Sequence, residues 1–266
     1  MRALPLLTLT LLAAGCAVEP PSGPPFVLVT VDGVGSAGLA PLMDDGRVVQ
    51  VEADESAPTW ALMAALVTGD EPPASIDGQP PRVPGAAETL LESATAHGLE
   101  TAAFLSDTVL TEESGLLQGA FHGYDGPTST IAAEGDVLAW VEREAIEYIE
   151  SKLPRPMEDA PAVWIHLDLV GQEIEAARSR VDELSTRLAN QFSELPEAIV
   201  AFVALPTATA PSAIVVRGGA VAPSRSSLPL SIVDVAPTLA GLAGFTQTEG
   251  ARPIGTGRDR SAELTR

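Results

Sequence analysis

The stretch FVLVTVDG, residues 26–33, decides the fold of this chain. Its first six residues are apolar or β-branched on both faces of an extended chain, which is typical of a strand buried inside a parallel sheet. Asp32 and Gly33 follow at its carboxyl end. Ligands of open α/β sheets bind at that end of the strands, so Asp32 is a candidate metal ligand. Asp-Gly is also an ordinary turn sequence, and Asp32 can equally be a turn residue.

The rest of the chain repeats this strand type between helical patterns. Apolar runs predict strands at 26–32, 101–110, 162–170, 198–205 and 212–221. Apolar stripes and capping residues predict helices at 85–98, 134–153 and 231–244, and from near Trp60 and Glu173 onward. This alternation predicts an α/β protein with three layers, α/β/α, around a mostly parallel central sheet. A chain of 266 residues suffices for one such domain.

The N-terminus predicts export. MRALPLLTLTLLAAGC places Arg2 ahead of an apolar run that ends in small residues before Cys16. The run is shorter than the roughly 20 apolar residues that span a bilayer, and it fits a signal peptide. Cys16 is the only cysteine, so it forms no intramolecular disulfide. It is either a free thiol near a frayed terminus or a modified residue.

The LAAGC of residues 12–16 resembles the lipobox of bacterial lipoproteins, in which the cysteine is lipidated and becomes the new N-terminus. The resemblance implies an exported lipoprotein of the bacterial cell envelope, anchored to a membrane through Cys16 and facing the periplasm or the cell surface. Two or more acyl chains give stable attachment. We expect a signal peptide at 1–15, a Pro-rich tether at 16–25, a domain at 26–245 and a frayed C-terminal tail at 246–266.

The charge balance limits the partners. Thirty-six Asp and Glu against fifteen Lys and Arg make a net charge of −21. Such a field repels nucleic acid and dianionic esters unless local cations overcome it, so we expect no nucleic-acid partner. The acidity can also serve only to keep the surface soluble. The composition does not identify a small-molecule or protein partner.

Several segments resemble, in order, a sulfatase of the alkaline phosphatase superfamily. They are FVLVTVDG, PTWALMAALVTG, AVWIHLDL and SIVDVAPTLAGLAG, within residues 26–245. The resemblance implies hydrolysis of phosphate or sulfate esters by a metal-bound nucleophile at a helix start. In that chemistry the metal lowers the pKa of the nucleophile, and the helix N-terminus binds the anion. By this resemblance Asp32 is the first metal ligand and Thr59 occupies the nucleophile position.

The same resemblance exposes substitutions. Thr59 stands where sulfatases have a Cys or Ser that becomes formylglycine, a conversion that threonine cannot undergo. Threonine nucleophiles do serve in the phosphodiesterase-like branch, although Thr59 can also simply cap the following helix. Met63 stands where sulfatases have an arginine, and Leu205 and Pro206 stand where a metal-binding Asp and His are expected. Neither Leu nor Pro donates electrons to a cation.

The segment IHLDLVGQ supplies the remaining candidates. His166 matches a substrate-contacting histidine of sulfatases, or else Asp168 matches a metal-binding aspartate whose partner histidine has become Gln172. His166 can instead be a neutral core histidine. His97 and His122 fit a helix C-terminus and a surface loop better than a metal site.

Two hypotheses follow. The favoured one is a catalytically degenerate sulfatase-like lipoprotein with a binding or envelope role and no cofactor. The alternative is a metal-dependent hydrolase of phosphoric or sulfuric esters that uses Thr59 as nucleophile, with one divalent cation (Zn²⁺, Ca²⁺ or Mg²⁺) held by Asp32 and weakly by Asp168.

Overall fold

The computed structural model describes residues 23–71, 82–107, 110, 114–125, 136–153, 160–245 and 254–265. The strands are β1 (Phe26–Asp32), β2 (Arg47–Glu52), β3 (Glu100–Leu105), β4 (His122–Asp125), β5 (Pro161–Asp168), β6 (Ile199–Ala204), β7 (Ser212–Gly218), β8 (Ser224–Arg225) and β9 (Leu230–Ser231). The helices are α1 (Gly35–Gly38), α2 (Thr59–Thr68), α3 (Leu90–Ala96), α4 (Val137–Lys152), α5 (Ile174–Gln191), α6 (Val235–Leu242) and α7 (Ser261–Leu264). Two 3-10 turns cover Ala40–Leu42 and Ile232–Asp234.

The nine strands form one sheet in the order β4-β3-β5-β1-β6-β7-β2-β8, with β9 paired to β2. β1 lies in the middle, parallel to both β5 and β6. β7 alone runs antiparallel to its neighbours β6 and β2. The predicted fold class, a mostly parallel central sheet in an α/β/α arrangement, is confirmed.

Helices cover both faces of the sheet, and successive side chains of β1 point alternately into the cores on the two faces. Phe26 and Leu28 point into a core shared with α2, α3 and α6. Val27 and Val29 point into a second core shared with α4 and α5. Because β1 is buried on both faces, it reads as a continuous apolar run, as a central parallel strand should.

The helix ends follow local chemistry. α3 begins with a capping box, in which the Thr89 hydroxyl accepts from the Glu92 nitrogen and the Glu92 side chain accepts from the Thr89 nitrogen. Gly98, predicted as a left-handed residue after this helix, has a φ of +81°. α2 is buried along 61–68 and ends at Gly69, whose φ is +69°. A helix that is apolar all round belongs in a core, which explains its weak amphipathic pattern.

Some boundaries differ from the predictions. The predicted strand 101–110 ends at Leu105, and that at 212–221 ends at Gly218. β2 was not predicted; its sequence RVVQVE lacks the continuous apolar run of the central strands and alternates between buried and exposed residues from Val49 onward. β4, β8 and β9 are two to four residues long, too short for a periodic signal.

Both predicted terminal segments contribute to the domain. Gly23, expected in the tether, is buried so closely that a Cβ there would lie 2.7 Å from the Phe245 ring. Leu264, expected in a frayed tail, is 2% exposed and packs in the core beside α6. The amides of Thr256 and Gly257 both donate to the Gly69 carbonyl at 3.0 Å. The expectation of a frayed tail is therefore wrong for 254–265, because this segment satisfies backbone groups at the end of α2 and buries apolar side chains.

The predicted signal peptide, Cys16 and residues 246–253 lie outside the described residues. Among the helices within the described ranges, none is long and apolar enough to cross a bilayer.

Candidate functional site

The carboxyl edge of the sheet brings two predicted ligands side by side. β1 and β5 are parallel neighbours, and their register pairs Asp32 with Asp168 and Thr30 with His166. Side chains at paired positions of adjacent parallel strands point to the same face. Asp32, His166 and Asp168 therefore gather on the sheet face that α2 covers.

Asp32 has both carboxylate oxygens occupied. Oδ1 accepts from the Gly33 nitrogen at 2.6 Å, and Oδ2 accepts from the Thr59 hydroxyl at 2.5 Å. Gly33 has a φ of +85°, and a Cβ there would lie 2.5 Å from the Val170 nitrogen. The turn after β1 thus requires glycine, both for its backbone conformation and for the close approach of the loop after β5.

Thr59 is the first residue of α2 and is partly exposed. The residue at the N-cap position is Pro58, and no side chain caps this helix. The predicted capping role of Thr59 is therefore wrong: its hydroxyl donates to Asp32 instead of accepting from the helix backbone. The arrangement places the Asp32 carboxylate beside the N-terminus of α2.

Apolar side chains fill the positions where the resemblance implies charged or metal-binding groups. Met63 is completely buried in the core under α2. Leu205, directly after β6, is 0% exposed, and its nitrogen donates to the Val31 carbonyl at 2.9 Å. Pro206 follows it and is also buried. The end of β6, the strand next to β1, therefore offers no side-chain donor beside Asp32.

His166 is a core residue. It is 0% exposed, and its Nδ1 lies 3.0 Å from the Thr30 hydroxyl, which also accepts from Trp164 Nε1 at 2.9 Å. Nε2 has no hydrogen-bond partner among the described residues. Burial lowers the pKa of His166 from 6.5 to about 4, against a smaller opposing effect of Asp32. The imidazole is thus neutral near pH 7 and screened from solvent, which agrees with the core-histidine alternative and not with substrate contact.

The Asp168 side chain forms a hydrogen bond within the loop that follows β5. Its Oδ1 accepts from the Val170 nitrogen at 3.0 Å. Ser106, a residue that the sequence did not single out, joins β3 to β5 here: its hydroxyl donates to the His166 carbonyl at 2.9 Å and accepts from the Asp168 nitrogen at 2.7 Å. Its position at the end of an apolar strand was the feature of the sequence that could have marked Ser106 as a residue of this edge.

The other two histidines lie elsewhere. His97 follows α3, and its Nδ1 lies 2.8 Å from the Ser93 carbonyl. His122 begins the edge strand β4, with Nε2 3.5 Å from a Glu100 carboxylate oxygen. Neither belongs to the group around Asp32.

The donor set does not fit a catalytic metal. Zinc requires about four N, S or O ligands and calcium about six to eight oxygens. Within the described ranges, no group of three or more His, Cys, Asp or Glu side chains is placed to hold an ion. Asp32 already accepts two short hydrogen bonds, and its neighbours on β6 are hydrocarbon. No reaction step through a metal follows from these residues.

The chain resembles known proteins in its fold but not in its sequence. No family model matches the chain, and no curated protein sequence matches it. Solved structures do match. One is a protein of the alkaline phosphatase superfamily from Vibrio parahaemolyticus, with a TM-score of 0.67 and 12% identity, over 90% of this chain and 70% of that one. The chain has the fold of the alkaline phosphatase superfamily.

Two further structures support this fold. The lipoteichoic acid synthase LtaP from Listeria monocytogenes matches with a TM-score of 0.67 and 13% identity, over 89% of this chain and 75% of that one. A 2-O GAG sulfatase matches with a TM-score of 0.61 and 13% identity, over 91% of this chain and 74% of that one. With this fold, the carboxyl edge at Asp32 and Thr59 is the place to look for function, since open α/β sheets bind ligands there.

Proposed function

We propose that this chain is a catalytically degenerate protein of the sulfatase-like fold, which serves in binding or in envelope structure and does not hydrolyse esters. The observation that carries the proposal is the end of β6, where buried Leu205 continues the register next to Asp32 and buried Pro206 follows it. Hydrocarbon groups cannot coordinate a cation, so Asp32 lacks the partners that an ion needs.

Electrostatics support the same proposal. A doubly charged ester that enters the edge at Asp32 and Asp168 meets two carboxylates. Two unit charges of like sign 4 Å apart repel by about 4 kcal/mol at an effective dielectric constant of 20. That energy corresponds to about three orders of magnitude in affinity. Without a metal or an arginine, the N-terminus of α2, which favours an anion by about 0.3 to 1 kcal/mol, does not offset the repulsion.

The test is metal content and turnover of the purified full-length protein. We expect substoichiometric Zn²⁺, Ca²⁺ and Mg²⁺ by mass spectrometry. We also expect aryl phosphate, phosphodiester and sulfate ester turnover no higher than that of Asp32→Ala. One tightly held metal equivalent that disappears in Asp32→Ala, together with turnover that disappears with it, would refute the proposal.

A second candidate function is a hydrolase that uses Thr59, and one observation favours it. The Thr59 hydroxyl donates to Asp32 Oδ2 at 2.5 Å, at the start of a helix whose N-terminus favours anions. This candidate predicts ester turnover that Thr59→Ala abolishes and Thr59→Ser retains in part. Turnover that survives Thr59→Ala would remove it.

We also propose that the protein is exported and tethered to the cell envelope through lipidated Cys16. The apolar run and the LAAGC sequence before this residue support the proposal. Mass spectrometry of the N-terminal peptide should find an acylated cysteine, and Cys16→Ser should move the protein from the membrane fraction to the soluble fraction. An unmodified Cys16 preceded by the intact residues 1–15 would contradict it.

A further inference from the structure

An open groove runs along one side of α2, away from the residues discussed so far. Its walls are the end of β2 with the loop that follows, α2 itself, and the turn at 231–233. Its cavity volume is about 530 Å³, and Ala61, Leu62 and Ala65 form its floor. This volume lies in the range of about 300 to 1,000 Å³ that is typical of ligand sites. Neither Asp32 nor Thr59 lines this α2 groove.

The rim of the α2 groove is acidic. Glu52, Asp54 and Glu71 line it, and all three are exposed. No lysine, arginine or histidine is among the lining residues that the structure describes, and none of the three carboxylates forms an ion pair with another described residue. An apolar floor under unpaired negative charge is complementary to a ligand that is both apolar and cationic.

One of these charges is fixed in place. Asp54 Oδ1 accepts from the Ser56 hydroxyl at 2.7 Å and from the Ser56 nitrogen at 2.9 Å. The hydrogen bond from the Ser56 hydroxyl, followed by that from its backbone, lowers the pKa of Asp54 below its usual value. This carboxylate therefore stays ionised over the physiological pH range.

The three carboxylates come from two separate segments of the chain. Glu52 and Asp54 precede α2 in the chain, and Glu71 follows it. A helix of ten residues is about 15 Å long. An extended peptide advances about 3.3 Å per residue, so about five residues cover the same length.

We propose that the α2 groove binds a short extended segment of a partner protein, with apolar residues against the floor and a basic residue toward each end. The cationic ends lie near Glu52 and Asp54 on one side and near Glu71 on the other. The proposal stands on the α2 groove alone, so it holds whether or not the edge at Asp32 is catalytic.

The test uses the full-length protein and a fluorescein-labelled, end-blocked pentapeptide with lysine at both ends and leucine, alanine and leucine between them. Fluorescence anisotropy should show saturable binding that weakens as salt screens the charges. Replacement of the lysines by glutamates, or of the leucines by serines, should abolish it. No binding of the lysine peptide, or equal binding of the serine version, would overturn the proposal.

A matched pair of variants separates the α2 groove from general acidity. The groove variant is Glu52→Gln, Asp54→Asn, Glu71→Gln. The control variant, Glu173→Gln, Asp182→Asn, Glu194→Gln, removes the same number and types of exposed carboxylates in and around α5, on the opposite face of the sheet. The groove variant should weaken binding at least about tenfold, while the control changes it by less than about twofold. Equal weakening in both variants would mean non-specific attraction and would overturn the proposal.

Discussion

The buried imidazole of His166 makes the stability of the protein depend on pH in a way that can be measured. In the folded protein the pKa of His166 is about 4, because burial penalises the charged form. In the unfolded chain it returns to the ordinary histidine value of about 6.5. Below pH 6.5 the unfolded state therefore binds a proton that the folded state does not. The contribution of His166 to stability is complete above that pH and is lost as the pH falls toward 4.

The size of this loss follows from the shift. A difference of about 2.5 pKa units, at 1.36 kcal/mol each, amounts to about 3 kcal/mol between pH 6.5 and pH 4. That is a large fraction of the 5 to 15 kcal/mol that holds a typical domain folded. Several carboxylates also titrate in this range, so the wild-type profile alone cannot assign the loss to one group.

The assay is urea unfolding at pH 7.0 and at pH 4.5, for the wild type, His166→Gln and His122→Gln. His166→Gln removes the buried titrating group, so its stability should fall between the two pH values by about 2 to 3 kcal/mol less than that of the wild type. His122→Gln removes a partly exposed histidine and serves as the matched substitution outside the core. Parallel profiles for the wild type and His166→Gln would refute the assignment of His166 as a neutral core residue.

Three further outcomes are expected from the packing. Leu264→Ala should lower the free energy of unfolding by about 2 to 4 kcal/mol in urea, because Leu264 is 2% exposed; no change would mean that the C-terminal segment is frayed after all. Gly33→Ala should destabilise more than its control Gly171→Ala, since both have a positive φ but only Gly33 has backbone within 3 Å of a new Cβ. Thr59→Val should cost about 1 to 3 kcal/mol, through loss of the hydroxyl bond to Asp32, and Thr59→Ser should restore most of it in thermal melts.

Much of the fold was predictable because its signals are local. The continuous apolar run of β1 reflects burial on both faces, and the glycines after α2 and α3 mark backbone that only glycine adopts easily. β2 lies near the sheet edge and is half exposed, so its Val49 and Val51 alternate with polar residues and it lacks the continuous apolar run from which the other long strands were predicted. The packing of Leu264 was not predicted for a different reason: a single apolar residue in a polar segment carries no sign of what it will contact.

The candidate site was predictable in its composition and not in its geometry. Asp32 was a candidate from its place at the end of an apolar strand, and Thr59, His166 and Asp168 were candidates through the resemblance to sulfatases. The hydrogen bonds, burial and charge of each side chain depend on neighbours that the fold brings close to it. Thr59 bonds to Asp32 across 27 residues of chain, and His166 becomes neutral because other strands and helices remove water from it.

The chain's residues alone establish an alternating α/β architecture and the hydrocarbon character of positions 205 and 206, because neither periodicity nor side-chain chemistry depends on distant contacts. The order of the strands, the reversed direction of β7 and the acidic rim of the α2 groove come from the three-dimensional arrangement. Each of these joins residues that are far apart in the chain. Such contacts are chosen by packing of the whole core, which no single segment encodes.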